Sequence, residues 1–191
     1  MPNDAVYYTP TAELRLSLLF SLQIENPLHY ALYYRSMTKH DFEVLLQPLF
    51  DRIGEHPLGP SLETDLNKSF PLEGAYCQSI LAACRQGDGE GWICEREAAG
   101  IRYGRVIKPG PATHDFSVDV VEMRRIVGPH HVHPNGEIDL VLPTEGQPTF
   151  DKHAAGWIVY QPGSAHRPSL EDGSAYVVYW LPGGAIDFTS H

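Results

Sequence analysis

The feature that most constrains the fold is a series of five short apolar runs in the second half of the chain, each bounded by Gly or Pro. They are IRYGRVI (101–107), FSVDVVEM (116–123), EIDLVLP (137–143), GWIVYQP (156–162) and AYVVYWLP (175–182). Short runs that alternate or are rich in β-branched residues favour strands. Because turn residues separate them closely, the pattern predicts an antiparallel barrel or sandwich over residues 92–191.

A helical period precedes these strands. The segment TKHDFEVLLQPLFDRIG after Met37 has apolar residues spaced i, i+3, i+4 and i+7, which predicts an amphipathic helix. Thr38 or Asp41 can cap its start, Gly54 can end it, and Pro48 can kink it. Two further helical patches cover about 61–68 and 74–85, before QGDGEG. The predicted fold class is therefore α+β, mainly β, with a helical cap over residues 37–91.

The first 36 residues join neither pattern. We therefore treat residues 1–36 as an N-terminal extension and hypothesise that Met37 is the physiological start, which N-terminal mass spectrometry of the endogenous protein would test. The apolar stretch 14–24 lacks the basic region and small residues of a secretory signal, and it is too short to span a bilayer. We expect no membrane partner.

Charge and cysteine content exclude some classes of function. The net charge of −10 repels polyanions, so nucleic acid is not expected as a partner, although a few cations in a cleft can still bind a small anion. The three cysteines, Cys77, Cys84 and Cys94, lack CxxC spacing and predict neither a disulfide framework nor a thiolate zinc site. We expect a reducing, cytoplasmic location.

Four side chains suggest a metal site. In HHVHPNGEID (130–139), His131 and His133 are two apart on a strand and share a face, and the Pro-Asn-Gly turn can return Glu137 beside them. His166 follows a second Pro-Gly turn in QPGSAH. Three imidazoles and a carboxylate suit divalent Mn, Fe, Ni, Co, Cu or Zn and leave coordination positions open. The complete spacing is expected by chance in about one chain in a thousand, whereas an HxH pair alone is common.

These motifs resemble those of a known fold family. HVHPNGE is similar to the first cupin motif and GWIVYQPGSAH to the second, with Leu170 where an asparagine is common. The resemblance implies a cupin-type antiparallel β-barrel, or jelly roll, whose metal ligands are His131, His133, Glu137 and His166.

A narrower resemblance covers about residues 37–188. The strings GIRYGRVIKPGPATHDFSVDVVEM, GPHHVHPNGEIDLVLP, GWIVYQPGSAHRPSL and YWLPGGAIDF resemble the 4-hydroxylaminobenzoate lyase family of nitroaromatic degradation. That resemblance implies a metal-dependent carbon–nitrogen lyase that converts 4-hydroxylaminobenzoate and water to 3,4-dihydroxybenzoate and ammonium.

A small aromatic acid as substrate requires further groups. Arg105 is the first candidate for the substrate carboxylate, ahead of Arg102 and Lys108, because a guanidinium can pair a carboxylate through two hydrogen bonds; a solvated strand edge is the alternative for all three. Tyr160 is the candidate for the aromatic ring, and a buried structural tyrosine is its alternative.

Two residues are candidates for catalysis, Glu137 and His130. His130 points away from the metal in a regular strand, so it is either a proton-transfer group at the pocket rim or a surface histidine.

Two other functions remain open. The same ligands serve a cupin dioxygenase or isomerase acting on a small aromatic or keto acid, or a non-enzymatic cupin that binds a small molecule. Dependence of turnover on oxygen separates the lyase from the dioxygenase. The cupin resemblance also implies a homodimer.

Overall fold

The computed structural model describes residues 36–54 and 56–189. From Met37 onward the chain forms one compact unit. The predictions made for the N-terminal extension, including the apolar stretch 14–24, lie outside the described residues.

Within the described residues, three helices precede the strands, as predicted: α1 (Lys39–Ile53), α2 (Pro60–Ser69) and α3 (Ala75–Gly89). Thr38 is the N-cap of α1 and forms a reciprocal capping box with Asp41. Helix α3 continues four residues beyond its predicted end, through Gly87. A Cβ at Gly87 would lie 2.5 Å from a ring carbon of Trp92, so this glycine allows the indole to pack against the helix instead of ending it.

Ten strands follow, and all their pairings are antiparallel. They are β1 (Arg96–Ala98), β2 (Ile101–Ile107), β3 (Phe116–Val127), β4 (His131–His133), β5 (Glu137–Phe150), β6 (His153–Ala154), β7 (Gly156–Tyr160), β8 (Ser164–His166), β9 (Ser169–Pro182) and β10 (Asp187–Phe188). The larger sheet has the order β1-β2-β3-β9-β5-β6, with β7 also paired to β5, and the smaller sheet has the order β10-β4-β8. All five predicted strands are present, and the predicted fold class, mainly β with a helical segment before an antiparallel cupin-type barrel, is confirmed.

The two faces of the larger sheet belong to different apolar clusters. One face packs against the three helices, and Leu46, Ile80 and Trp180 are fully buried there. The other face, which includes Phe150 and Tyr179, forms the interior of the barrel. Alternate residues of each strand therefore point either to the helices or to the interior, and the interior holds the site.

The described residues contain no helix that is both long enough and apolar enough to cross a bilayer.

Candidate metal centre

Strand pairing brings the three histidines together. His131 and His133 lie on β4 with one residue between them, and both side chains are buried. Strand β8 runs antiparallel beside β4, which places His166 directly opposite His131. The small sheet therefore presents all three imidazoles on one side, as the HxH spacing predicted for the first two.

A glycine turn adds the carboxylate. Gly136 has a φ of +85°, which favours glycine, and a Cβ there would lie 2.7 Å from the carbonyl oxygen of Tyr160. The turn ends at Glu137, the first residue of β5, whose side chain is completely buried. One carboxylate from the larger sheet thus joins three imidazoles from the smaller one.

The potential ligand atoms converge on one point. Nε2 of His166 lies 2.9 Å from Nε2 of His131 and 3.0 Å from Nε2 of His133. It also lies 3.6 Å from Oε1 of Glu137. One ligand atom from each of the four residues lies within 4.8 Å of the others.

The hydrogen bonds of the outer ring nitrogens show that this cluster fits a cation. Nδ1 of His131 lies 3.1 Å from the carbonyl of Pro129, and Nδ1 of His166 contacts the carboxylate of Asp151. Because both partners are acceptors, each Nδ1 carries the proton and each neutral ring has its lone pair on Nε2. Two lone pairs facing each other at 2.9 Å would repel, unless a proton or a metal ion lies between them.

The spacing also matches a metal shell. Two imidazole nitrogens bound at right angles to one ion, at about 2.1 Å each, would be about 3.0 Å apart. The two distances between Nε2 atoms agree with that value. The four residues therefore fit a divalent transition metal.

Burial keeps the imidazoles in their ligating form. It lowers the pKa of His131 to about 4 and that of His133 to about 3, with the neighbouring histidines contributing in the same direction. Both rings are thus neutral at pH 7, which is the form that binds metals.

The carboxylates in the interior also favour a cation. Glu137 and Asp139 are completely buried, and among the described residues the nearest potential donor to Glu137, Nδ1 of His133, lies 3.1 Å from Oε2 without meeting hydrogen-bond geometry. Burial raises the pKa of both carboxyls, and the charge of Asp139 raises that of Glu137 further. Buried carboxylates without donors are costly, and a bound divalent cation would offset that cost.

A third carboxylate, Asp151, contacts the ring of His166 from behind. It also accepts hydrogen bonds from Tyr160 Oη at 2.8 Å and from the amide of Ser169 at 2.7 Å. Burial alone would raise the pKa of Asp151, but these donors outweigh it and the pKa is lowered. Sequence reasoning missed Asp151 because it belongs to no motif and precedes His166 by 15 residues.

A cavity of about 700 Å³ opens beside the cluster, and His131 forms part of its wall. Its lining combines apolar and aromatic side chains with charged ones of both signs, including Leu181, Tyr179, Phe188, Arg105, Lys108, Glu95 and Asp119. The hydroxyl of Tyr179 lies 3.9 Å from the sulfur of Met123. A pocket of this size and composition is large enough for a small organic molecule.

In the structure, the residues predicted to bind substrate form contacts with other side chains of the protein. Arg105 lines the cavity, but its Nε and Nη2 bond Asp119 at 2.7 and 3.0 Å, and Nη2 also bonds the carbonyl of Gly184. Tyr160 lies beside His166, bonded to Asp151, and is not part of the cavity wall. Arg102 is occupied by Asp88 and Glu122.

Of the two candidate catalytic residues, Glu137 lies in the metal cluster. His130 is half-buried, and its Nδ1 contacts Oγ1 of Thr189. It does not belong to the cavity wall.

The chain is similar to one family model, to two named relatives and to a solved structure. The family model described as PnbB, 4-hydroxylaminobenzoate lyase, matches residues 44–188. A protein named 4-hydroxylaminobenzoate lyase from Pseudomonas putida is 27% identical over 154 residues, covering 72% of this chain and 88% of its own. One of the same name from Nocardioides sp. (strain LMS-CY) is 27% identical over 150 residues, covering 74% and 89%. Among solved structures, DMSP lyase DddQ from Ruegeria pomeroyi DSS-3 aligns with a TM-score of 0.47 and 19% identity, over 80% of this chain and 98% of that one.

Proposed function

The chain belongs to the 4-hydroxylaminobenzoate lyase family, since the family model matches most of its length, and from this we propose that it is a metal-dependent carbon–nitrogen lyase. The proposed reaction converts 4-hydroxylaminobenzoate and water to 3,4-dihydroxybenzoate and ammonium. The observation that carries the proposal is the cavity that opens on the cluster of three histidines and one glutamate. The cavity would give a small aromatic acid access to the cluster at His131, the one of the four residues that forms part of its wall.

The reaction balances without an oxidant or reductant. The N–O bond of the hydroxylamine breaks, water adds to the ring carbon next to the one bearing nitrogen, and a second hydrolysis releases ammonia. The hydroxylamine oxygen returns as water, so one water molecule is consumed overall. A divalent metal supplies Lewis acidity and lowers the pKa of water, both of which this sequence of steps needs.

The chain's own residues have separate tasks in this proposal. His131, His133, Glu137 and His166 would hold the metal. Their burial and the apolar walls exclude bulk water from a reactive intermediate. Glu137 is also proposed to accept a proton, because its buried carboxylate lies within the ligand cluster. The catalytic role of His130 stays a prediction.

The carboxylate of the substrate would bind at the cationic part of the cavity. Arg105 remains a candidate, although Asp119 already occupies two of its three nitrogens. Lys108 lies in the same wall, and no acidic partner within the described residues pairs with its ammonium. We therefore place the substrate carboxylate at Lys108, with the remaining nitrogen of Arg105 as a second donor.

The test is product formation under strict anoxia. The purified protein, loaded with one metal at a time, is given 4-hydroxylaminobenzoate, and ammonium and 3,4-dihydroxybenzoate are both measured. Equal amounts of the two products without oxygen support the lyase. An absolute requirement for oxygen would favour a dioxygenase, and tight binding without turnover would favour a binding protein.

Two variants complete this experiment. His166→Ala removes one proposed ligand and should abolish turnover. His153→Ala removes an exposed histidine of β6 and should leave turnover unchanged. Turnover that survives His166→Ala would contradict a metal-dependent reaction. A homodimer and a cytoplasmic location stay predictions.

A further inference from the structure

The position of Asp151 depends on an unusual turn. Asp151 and Lys152 connect β5 to β6, and both have positive φ values, 49° and 69°. The amide of Asp151 donates to the carbonyl of Ser169 at 2.9 Å. This bond fixes the turn against the start of β9, so the Asp151 side chain reaches the back of the His166 ring.

The carboxylate of Asp151 receives four donors on two oxygens. Oδ2 accepts from Nδ1 of His166 and from Tyr160 Oη. Oδ1 accepts from the amide of Ser169 at 2.7 Å and from its hydroxyl at 3.1 Å. Both oxygens of the carboxylate therefore accept hydrogen bonds. The side chain cannot rotate away from His166 without also losing the hydrogen bonds from Ser169.

We propose that Asp151 is a positioning residue that keeps the proton of His166 on Nδ1 and so directs the Nε2 lone pair into the metal cluster. This inference rests on the proposed metal site and adds a residue that its ligands do not include. Nε2 of His166 lies near ligand atoms of both other histidines and of Glu137, so its tautomer decides whether the shell is complete.

The proposal also gives Tyr160 a defined role. Its hydroxyl donates to the oxygen that His166 uses, and the centroids of the Tyr160 and His166 rings are 4.7 Å apart. Tyr160 thus supports the position of the carboxylate, which agrees with the structural alternative given for this tyrosine, while its contact with a substrate ring stays a prediction.

Chemistry explains why an amide cannot replace this carboxylate. An Asn side chain at position 151 has one acceptor oxygen and one NH₂ donor. If the oxygen faces Ser169, the NH₂ faces Nδ1 of His166 and favours the tautomer with its proton on Nε2. If the oxygen faces His166, the NH₂ group faces the Ser169 amide. Two donors then point at each other, which weakens the turn. Neither orientation preserves both sets of hydrogen bonds.

The experiment measures metal affinity directly. The full chain is freed of metal with a chelator, and the Kd for Co²⁺ and for Zn²⁺ is determined by competition with a chromophoric chelator. Asp151→Asn should weaken binding about 10- to 100-fold and alter the visible spectrum of bound Co²⁺.

A matched control tests the specificity of this effect. Asp172→Asn makes the same substitution at an exposed aspartate that also has a positive φ, 58°, and should leave the Kd unchanged.

A measurement on the unmutated chain keeps the proposal falsifiable if Asp151→Asn fails to fold. Nitrogen-15 NMR of the metal-free protein should show the His166 proton on Nδ1 and none on Nε2. A proton on Nε2, or a Kd of Asp151→Asn equal to that of the unmutated chain, would overturn the role of Asp151 while the metal site stands. Failure of the unmutated chain to bind any metal would overturn both.

Discussion

At the scale of single residues, the interior of the barrel is unusual for the charge it holds. Glu137 and Asp139 are two apart on β5, so they share a face, and both are completely buried. Cross-strand pairing extends this row: Asp139 lies opposite Tyr179, which lies opposite Asp119, the partner of Arg105. Among the described residues, a cationic side chain binds the outer carboxylate of the row but neither of the inner two. The inner two therefore favour a cation at the ligand cluster.

The cation proposed for the substrate carboxylate gives a prediction at the same scale. Lys108→Met keeps most of the apolar stem and removes the charge, so the KM for 4-hydroxylaminobenzoate should rise about 10-fold or more, the usual value of one charged hydrogen bond. Steady-state kinetics should show kcat changed much less. Lys68→Met, the same change at an exposed position of α2, is the control and should leave KM unchanged. An unchanged KM for Lys108→Met would leave Arg105 as the carboxylate anchor.

Residue spacing predicted the four potential ligands because each spacing corresponds to one turn or one strand repeat. The same reasoning could not predict the partners of Arg105, since its pairing with Asp119 depends on the register of β2 against β3. The contact of Asp151 with His166 could not be predicted either, because a positive φ at a non-glycine residue leaves no clear pattern in the sequence. Both cases depend on contacts between segments that are far apart in the chain.

At the scale of elements, one carboxylate in the last turn of helix α3 accepts hydrogen bonds from the sheet. Asp88 accepts hydrogen bonds from Arg102 on β2 and from Tyr176 on β9, the latter at 2.7 Å. The side chain of Asp88 is only 14% exposed. Burial opposes ionisation, but the two donors outweigh it and the pKa of Asp88 is lowered. This contact ties the last turn of α3 to two strands.

Removal of that contact should destabilise the protein measurably. Asp88→Ala leaves Arg102 with one partner and the Tyr176 hydroxyl with none, and should cost about 2 kcal/mol of unfolding free energy. For a chain of this size the Tm should fall by about 4 to 8 °C in a thermal melt. Asp65→Ala is the control, because it breaks an ion pair with Arg52 that is more exposed and should cost less than about 1 kcal/mol. Equal losses for both variants would contradict the role given to Asp88.

The long strands could be predicted from the sequence, and the shortest could not. Each predicted run has enough alternating residues to show a period, but β6 and β10 have two residues each and exist only through their neighbours. Strands β5 and β9 also extend to 14 residues each, beyond their predicted ends. Register shifts near Pro143 and Gly146 let the pairing continue past residues that normally end a strand.

At the scale of the whole molecule, the site joins the two sheets. Three of its potential ligands come from the small sheet of β4, β8 and β10, and Glu137 comes from the large one. The small sheet has only short strands, of two or three residues. A metal bound by all four residues would therefore link the small sheet to the large one. The free energy of metal binding would add to the stability of the fold.

Metal removal should for this reason lower the stability of the small sheet first. A metal at 100 times its Kd stabilises the bound state by about 2.7 kcal/mol, which corresponds to a Tm about 5 to 10 °C above that of the metal-free chain. Calorimetry with and without a chelator measures this shift, and His166→Ala should show almost none, whereas His153→Ala should match the unmutated chain. Hydrogen exchange should locate the change: amides of β4 and β8 should exchange faster without metal, while those in the centre of β3 and β9 keep their protection at temperatures well below the melt. Equal acceleration in both sheets would mean that the metal stabilises the molecule as a whole and does not act as a local fastening between the sheets.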